Sequence, residues 1–228
     1  CQIPWILTQS VKDPMTQNSP ITDIATLADA IIAKSGSGRT VVAIVGPPGS
    51  GKSTLVEALK SDIDTKFSGG CEIVPMDGFH YDNRILDQRG DRIRKGAPHT
   101  FDVGGLESVI QRLRTAPYHD VAVPVFDREN DCAYASARIV AAQTGIILVE
   151  GNYLLLDDPQ WRVLDGLFDL TISIECAYDI LKQRLSQRWL DLNFTAAETE
   201  AKLEQNDLPN CRLVQSHTLD ADLVYRSD

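Results

Sequence analysis

Three things are scarce in this chain: paired cysteines, long apolar runs and positive charge. The five cysteines (Cys1, Cys71, Cys132, Cys176, Cys211) are odd in number and scattered. With no Cys-x-x-Cys spacing they form neither a zinc site nor a disulfide framework, and they suit a reducing compartment. No apolar run approaches the roughly 20 residues of a membrane-spanning helix. Lys and Arg number 22 against 32 Asp and Glu, a formal net charge of -10. That excludes nucleic-acid binding through the phosphate backbone as the main function. Internal repeats and low-complexity tracts are also missing, as is the Asn-Lys-x-Asp pattern that reads guanine. The chain begins with Cys1, which leaves an upstream leader open; the cytoplasm is the default expectation.

What is present is organised around one stretch. Val41-Val42-Ala43-Ile44-Val45 reads as a buried strand, followed by Gly46-Pro47-Pro48-Gly49-Ser50-Gly51-Lys52-Ser53-Thr54 and then a helix-compatible run. Gly46 to Ser53 fits G-x-x-x-x-G-K-[ST], the phosphate-cradling loop pattern, in the strand–turn–helix context it requires. Glycines let the backbone approach an oxyanion closely, and the amide groups and helix N-terminus hold it. Lys52 is expected to reach the β- and γ-phosphates, and the Ser53 hydroxyl to ligate Mg²⁺. An anionic nucleotide meets a local positive site here within an acidic protein.

The remaining elements follow in order. Residues 1–18 read as an extended arm docking through Trp5. Ser19-Pro20 reads as an N-cap and first helical position for a helix to Lys34. Strands are expected at 71–76, 121–125, 139–142, 145–150, 170–175 and 223–225. Helices are expected at 101–115, 161–168, 177–192 and 195–205, the last opened by Thr195 and Glu198 as a cap. Strands alternate with helices, and several strands are apolar throughout. That predicts an α/β protein: a three-layer P-loop NTPase fold, its parallel sheet covered by helices on both faces. One domain over 19–228 is expected, with a lid around 184–210.

Several side chains are chemical candidates. Glu150 ends an apolar strand, the context of a carboxylate that helps to hold Mg²⁺ beside the phosphate loop. Asp77 ends another strand at the edge where such sheets bind ligands, suited to metal contact and to proton acceptance. Asp77-Gly78 is equally a common turn pair, and spacing does not separate the two readings. Arg184 and Arg188 share a helix face and could compensate phosphate charge, or could be surface arginines. The run Arg84–Lys95 carries five cations against Asp87 and Asp91; it could receive an anionic group or form a solvated face. His80 becomes a substrate-contact candidate only through its place after Asp77.

The blocks Met76-Asp77-Gly78-Phe79-His80, Arg94-Lys95-Gly96-Ala97-Pro98-His99-Thr100-Phe101-Asp102, Pro124-Val125-Phe126-Asp127-Arg128 and Val149-Glu150-Gly151-Asn152-Tyr153, with the phosphate loop, resemble the uridine kinase, phosphoribulokinase and bacterial pantothenate kinase superfamily. The similarity runs from about Thr40 to Tyr225 and leans towards its nucleoside/sugar kinase-like branch, which includes proteins named as fructose kinases. The resemblance implies that Asp77 is the catalytic base, that Glu150 lies near Mg²⁺, and that Asp102 holds a substrate hydroxyl. His80 and Arg128 join Asp102 as expected substrate contacts, and Arg184 and Arg188 begin the arginine-bearing lid. Asn206-Asp207-Leu208-Pro209-Asn210 matches a stretch expected near the adenine side. Gly78-Phe79-His80 departs from the Ser-Phe-Tyr run of uridine kinases, which weakens a nucleoside as acceptor.

The expected activity is ATP- and Mg²⁺-dependent phosphoryl transfer to a hydroxyl of a small metabolite: a sugar, a nucleoside or a pantothenate-like alcohol. The competing reading is a nucleotide-dependent switch that hydrolyses ATP with no acceptor. Expected partners are a small-molecule substrate, neither nucleic acid nor membrane, with room for a homodimer.

Overall fold

The apolar run ahead of the glycine loop becomes β1 (Thr40–Val45), whose six residues are all buried. In the computed structural model, which describes residues 19–36, 38–115 and 119–226, β1 is the middle strand of a five-stranded sheet. The others are β2 (Cys71–Pro75), β5 (Ile146–Gly151), β6 (Leu170–Glu175) and β7 (Leu223–Arg226), in the order β2-β5-β1-β6-β7. Every pairing in this sheet is parallel. Alternate residues of each strand point to opposite faces, and both faces are covered. Val42, Ile44, Leu148 and Ile172 pack with α1 (Ile24–Lys34) and α2 (Lys52–Lys66), while Val41, Ala43, Val45 and Val149 pack with α4 (Val103–Thr115) and the aromatic group Phe101, Tyr153 and Trp161. The three-layer α/β architecture with a parallel sheet is therefore present. β1 and β5, at the middle of the sheet, are buried along their whole length because neither of their faces meets water.

The remaining elements sit around the carboxyl edge. A 3₁₀ turn, Met76–Phe79, follows β2, and α3 (Asn83–Arg89) leads into a loop that ends at Phe101. β3 (Val121–Asp127) and β4 (Cys132–Val140) form a separate antiparallel ribbon with a register shift between Val123 and Val125, at Pro124, which has no N–H to donate. α5 (Tyr178–Asp191), α6 (Ala196–Lys202), a π-helical turn (Leu203–Asp207) and α7 (Leu208–His217) form a helical cap with its own apolar cluster of Leu181, Leu185, Leu203, Leu208 and Cys211.

Four expectations are corrected. The first helix is capped by Asp23, whose carboxylate accepts from Thr26 N at 2.8 Å, and not by Ser19-Pro20. Ile21 instead bridges to Tyr225, extending the sheet edge. The strand expected at 139–142 is Cys132–Val140, because β3 offers a hairpin partner to the residues before Ile139. The helix expected at 161–168 is only a 3₁₀ turn, Arg162–Leu164, stopped where Gly166 takes a left-handed backbone with φ 74°. α7 lies where the sequence pattern predicts no helix. At the first positions of a helix a missing N–H costs nothing, and the π-turn carries the chain straight into α7. The capping box of Thr195 and Glu198 is present as expected. Trp5 and the 1–18 arm lie outside the described residues.

Arg39 fastens the amino-terminal side of this sheet. Its guanidinium donates to Thr144 O (3.2 Å), Leu113 O (3.3 Å), His119 O (3.5 Å) and Ala141 O (2.7 Å). One planar fork thus satisfies carbonyls from the end of α4, the end of the ribbon and the turn before β5. Arg39→Ala is expected to lower unfolding free energy by about 1–3 kcal/mol, since those carbonyls lose a charged donor. Arg39→Lys is expected to recover less than half of this, because an ammonium cannot fan across them. Urea denaturation of the three proteins checks the order; equal stability of Arg39→Ala and wild type would remove Arg39 from the framework.

Candidate active site

The loop from Gly46 to Thr54 joins β1 to α2 with two glycines in left-handed conformations, Gly49 at φ 80° and Gly51 at φ 87°. Any side chain would be strained at either position. Gly49 has a second reason to be glycine: a Cβ there would stand 3.0 Å from Leu185 Cγ, so α5 rests on the loop. Pro48 O meets the Cys211 thiol at 3.5 Å, adding a contact from α7. Lys52 is buried and its ammonium folds back on Gly46 O (2.8 Å) and Pro47 O (3.0 Å). Burial lowers its proton affinity, and the carboxylates of Glu150 and Asp77 oppose that fall. Ser50 Oγ is buried without a hydrogen-bond partner among the described residues. Ser53 and Thr54, at the start of α2, are exposed.

Parallel register brings the acids to this loop. Ile44 and Val45 pair with Glu150 and Gly151, and Pro75 pairs with Glu150, so Asp77 emerges two residues beyond the strand next door. Gly78 is not in a left-handed conformation. A Cβ on it would come 2.5 Å from Pro124 O, so the ribbon lies directly on the turn. The glycine after Asp77 is thus required by close backbone approach inside the 3₁₀ turn Met76–Phe79, not by a positive φ. Arg128, at the end of β3, reaches back to Asp77, with Nη2 at 2.7 Å from Oδ2.

Asp77, Arg128, Glu150, Ser53, Glu57 and Arg138 line one cavity of about 170 Å³ between α2, β2 and the ribbon. Glu150 is 7% exposed, and burial followed by the charge of Asp77 pushes its carboxyl up to about 7, against the pull of Lys52 and Arg128. A carboxylate this costly to ionise is relieved by a cation. Hard oxygen donors from Ser53, Asp77 and Glu150 fit Mg²⁺, which keeps waters and substrate oxygens in its shell. Among the described residues no group of three or more His, Cys, Asp or Glu forms a closed metal cage. The set therefore fits a metal that arrives with phosphate oxygens.

None of the remaining candidates lines this cavity. His80 lies between Phe101 and Phe126, with ring centroids at 4.1 and 4.7 Å, and its Nδ1–H donates to Asp77 O at 2.7 Å. Burial lowers its proton affinity, which keeps a neutral ring with Nε2 as acceptor. Asp102 is exposed and caps α4, accepting from Gly105 N at 2.9 Å through Oδ1. It is drawn towards His80 by the Phe101 bridge and by its N–H to Phe79 O. The cations of 84–95 do not gather into one anion receiver. Arg84 pairs with Asp82, Arg92 with Asp87 and Asp131, Lys95 with Asp131, and Arg89 covers the Tyr81 ring. Arg94 reaches Gln205 O at 2.6 Å. Asn206 and Asn210 meet this same loop, so the 206–210 segment lies against residues 94–95.

Arg184 and Arg188 both lie on α5. Arg184 approaches Cys176 Sγ at 3.8 Å, whereas the charge of Arg188 acts in the field of Arg128, Asp207 and Asp77. Glu57 and Arg138 were missed by sequence reasoning. Glu57 follows Ser53 by one helical turn, a signal that could have been read. Arg138 sits in a ribbon strand with nothing local to mark it, and its Nη1 donates to Ile73 O at 2.9 Å.

The Glu150 carboxyl makes stability depend on pH. Its folded value lies above its ordinary 4.5, so its contribution is fully present below that and is lost as pH rises through about 7. Glu150→Gln removes that loss. The nucleotide-free variant is expected to gain stability over wild type as pH rises from about 5 to about 8, by at most about 3 kcal/mol. Melting curves across that range check it; a difference that does not change with pH would show that Glu150 carries no raised carboxyl.

Three comparisons can be set beside this geometry. The uncharacterized protein YggC of Escherichia coli K12 is 37% identical over 188 residues, covering 82% of this chain and 77% of that protein. A candidate uridine kinase of Schizosaccharomyces pombe is 30% identical over 195 residues, covering 82% of this chain and 83% of that protein. The crystal structure of a candidate fructose transport system kinase from Silicibacter sp. TM1040 superposes with a TM-score of 0.85 at 40% identity, over 90% of this chain and 99% of that one. The stretch from β1 through α5, which carries the phosphate loop, both acids, the ribbon and the two arginines, is the part that matches a whole-family pattern, over residues 41–191. This chain belongs to the phosphoribulokinase / uridine kinase family of P-loop kinases.

Proposed function

We propose that this kinase transfers the γ-phosphoryl group of ATP to a hydroxyl of a small metabolite, with Mg²⁺ as cofactor. The observation that carries the reading is the single cavity that joins Ser53, Asp77, Glu150 and Arg128 beside the phosphate loop. Lys52 and the amides from Gly46 to Thr54 hold the polyphosphate; Lys52 exchanges the carbonyls of Gly46 and Pro47 for phosphate oxygens as it does so. Ser53, Glu150 and Asp77 hold Mg²⁺. When bound there, the ion would supply charge neutralisation to the phosphate oxygens. Asp77 accepts the proton of the attacking hydroxyl. Arg184 and Arg188 offset the charge that spreads over the transferring group. His80, Asp102 and Arg128 orient the acceptor.

The relatives' names point to two acceptor classes, a fructose transport kinase and a uridine kinase. Both acceptors present a hydroxyl, and the aromatic-flanked neutral His80 beside Asp77 supports a polyol over a charged nucleophile. A panel of sugars, sugar acids, nucleosides and pantothenate-like alcohols, screened for ADP release, is expected to contain an acceptor that raises turnover far above slow hydrolysis. With that acceptor, Asp77→Asn is expected to lose about 10²- to 10⁴-fold in kcat while still binding ATP. A basal ATPase rate that no acceptor increases would favour the switch instead. Wild-type transfer by Asp77→Asn would remove the base.

A further inference from the structure

Arg138 lines the cavity beside the phosphate loop, yet the chemistry proposed above gives it no task. It lies on β4 opposite Val123 of β3, and its Nη1 donates to Ile73 O at 2.9 Å. Ile73 is on β2, the edge strand of the sheet, so this bond fastens the ribbon to an open edge. A single neutral carbonyl occupies one of the five N–H donors of a guanidinium. Among the described residues Arg138 forms no ion pair, although Glu57 and Glu150 line the same cavity. Arg128 differs, because its Nη2 answers the Asp77 carboxylate at 2.7 Å.

The cavity has two ends. Ser53, Asp77 and Glu150 stand at the phosphate loop, whereas Ile73, Glu57 and Arg138 lie further from it. Two elements measure the separation. Pro75 pairs with Glu150, and Ile73 lies two residues earlier, roughly 7 Å back along β2. Glu57 follows Ser53 by one helical turn, roughly 6 Å along α2. Both paths lead away from the carboxyl edge, and Val125 and Phe126 of β3 line the cavity with them. The Arg138 guanidinium, tethered at Ile73, is thus a short carbon chain away from the base Asp77 and in the same cavity.

We propose that Arg138 is a specificity-determining residue that receives an anionic group, a carboxylate or a phosphate, carried by the acceptor a short carbon chain away from its reacting hydroxyl. The acceptor class is then an acidic polyol, either a sugar acid or a sugar phosphate. A planar guanidinium matches both groups bidentately, and with Nη1 held by Ile73 O the donors Nε and Nη2 remain for the anion. A neutral polyol would leave that cation unanswered. The inference rests on hydroxyl transfer as proposed and adds what else the acceptor carries.

Matched probes test it. Glycerate, erythronate, gluconate and fructose phosphate are set against glycerol, erythritol, glucitol and fructose, and ADP release from ATP and Mg²⁺ is followed. At least one anionic probe is expected to exceed its neutral counterpart about 10- to 100-fold in kcat/KM, the size of a charged hydrogen bond. In Arg138→Gln, which keeps a donor for Ile73 O, that preference is expected to fall by about the same factor, mainly through the KM of the anionic probe. Arg138→Lys keeps the charge and loses the fork; its preference is expected to lie between the two, and it decides the matter should Arg138→Gln fail to fold. A merely structural Arg138 would weaken anionic and neutral probes alike and leave their ratio intact. That result, or a wild-type preference for neutral probes, would overturn the proposal. If only neutral compounds of the wider panel are phosphorylated, the proposal fails while hydroxyl transfer stands. If no compound raises ADP release, hydroxyl transfer fails and the proposal falls with it.

Discussion

Parallel register between β1, β5 and β2 is the constraint on which the site depends. In a parallel sheet neighbouring strands end at the same edge, so the loop after β1, Glu150 near the end of β5 and Asp77 just beyond β2 are delivered to one place by backbone hydrogen bonding. Two carboxylates and an ammonium meet there at the rim of an apolar sheet. The cost of that meeting shows in Glu150, whose carboxyl is pushed up to about 7 by burial and by Asp77, and in Lys52, which is buried and folded onto loop carbonyls. Both groups are held in an environment that a phosphate and a metal cation would complete. The strain on the charges and the fit to the proposed ligands are one property seen twice.

Around this fixed edge the other elements approach in layers. The ribbon comes close enough to Gly78 that only a hydrogen fits there, and that contact is what carries Arg128 to Asp77. The cap approaches from the other side and lays Leu185 on Gly49 and Cys211 on Pro48. Its clasp to residues 94–95 makes the loop after α3 a common support for ribbon and cap, because Lys95 also holds Asp131. The basic residues of that loop are thus consumed in joining two lobes, which explains why a locally positive run in an acidic chain need not be an anion site.

Legibility followed the range of the interaction that creates each feature. The phosphate loop, the buried strands on either side of it and the Thr195 cap are written in adjacent residues, because strand burial, glycine backbone freedom and helix capping act over a few positions. Asp77 and Glu150 were legible as strand-terminal acids, and the family resemblance supplied their expected roles. Asp102 and the 84–95 cations were legible only as residue types. Whether they face a substrate, cap a helix, pair with Asp131 or reach Asn210 is set by partners up to 116 residues away in sequence. Arg138 was invisible, since a cation in a ribbon strand has no local signature.

The sequence by itself therefore determined the α/β class, the phosphate-binding loop and the chemical kind of site, through short-range stereochemistry and burial patterns. Tertiary structure alone decided the rest: that Gly78, in the turn after β2, must leave room for the ribbon, that α7 continues from the π-turn with Pro209 in its first turn, and that the Asp207 carboxylate accepts from the Trp189 indole. Each is a contact between segments distant in sequence or a backbone path through a π-turn. Its energy comes from packing and charge that no local pattern contains.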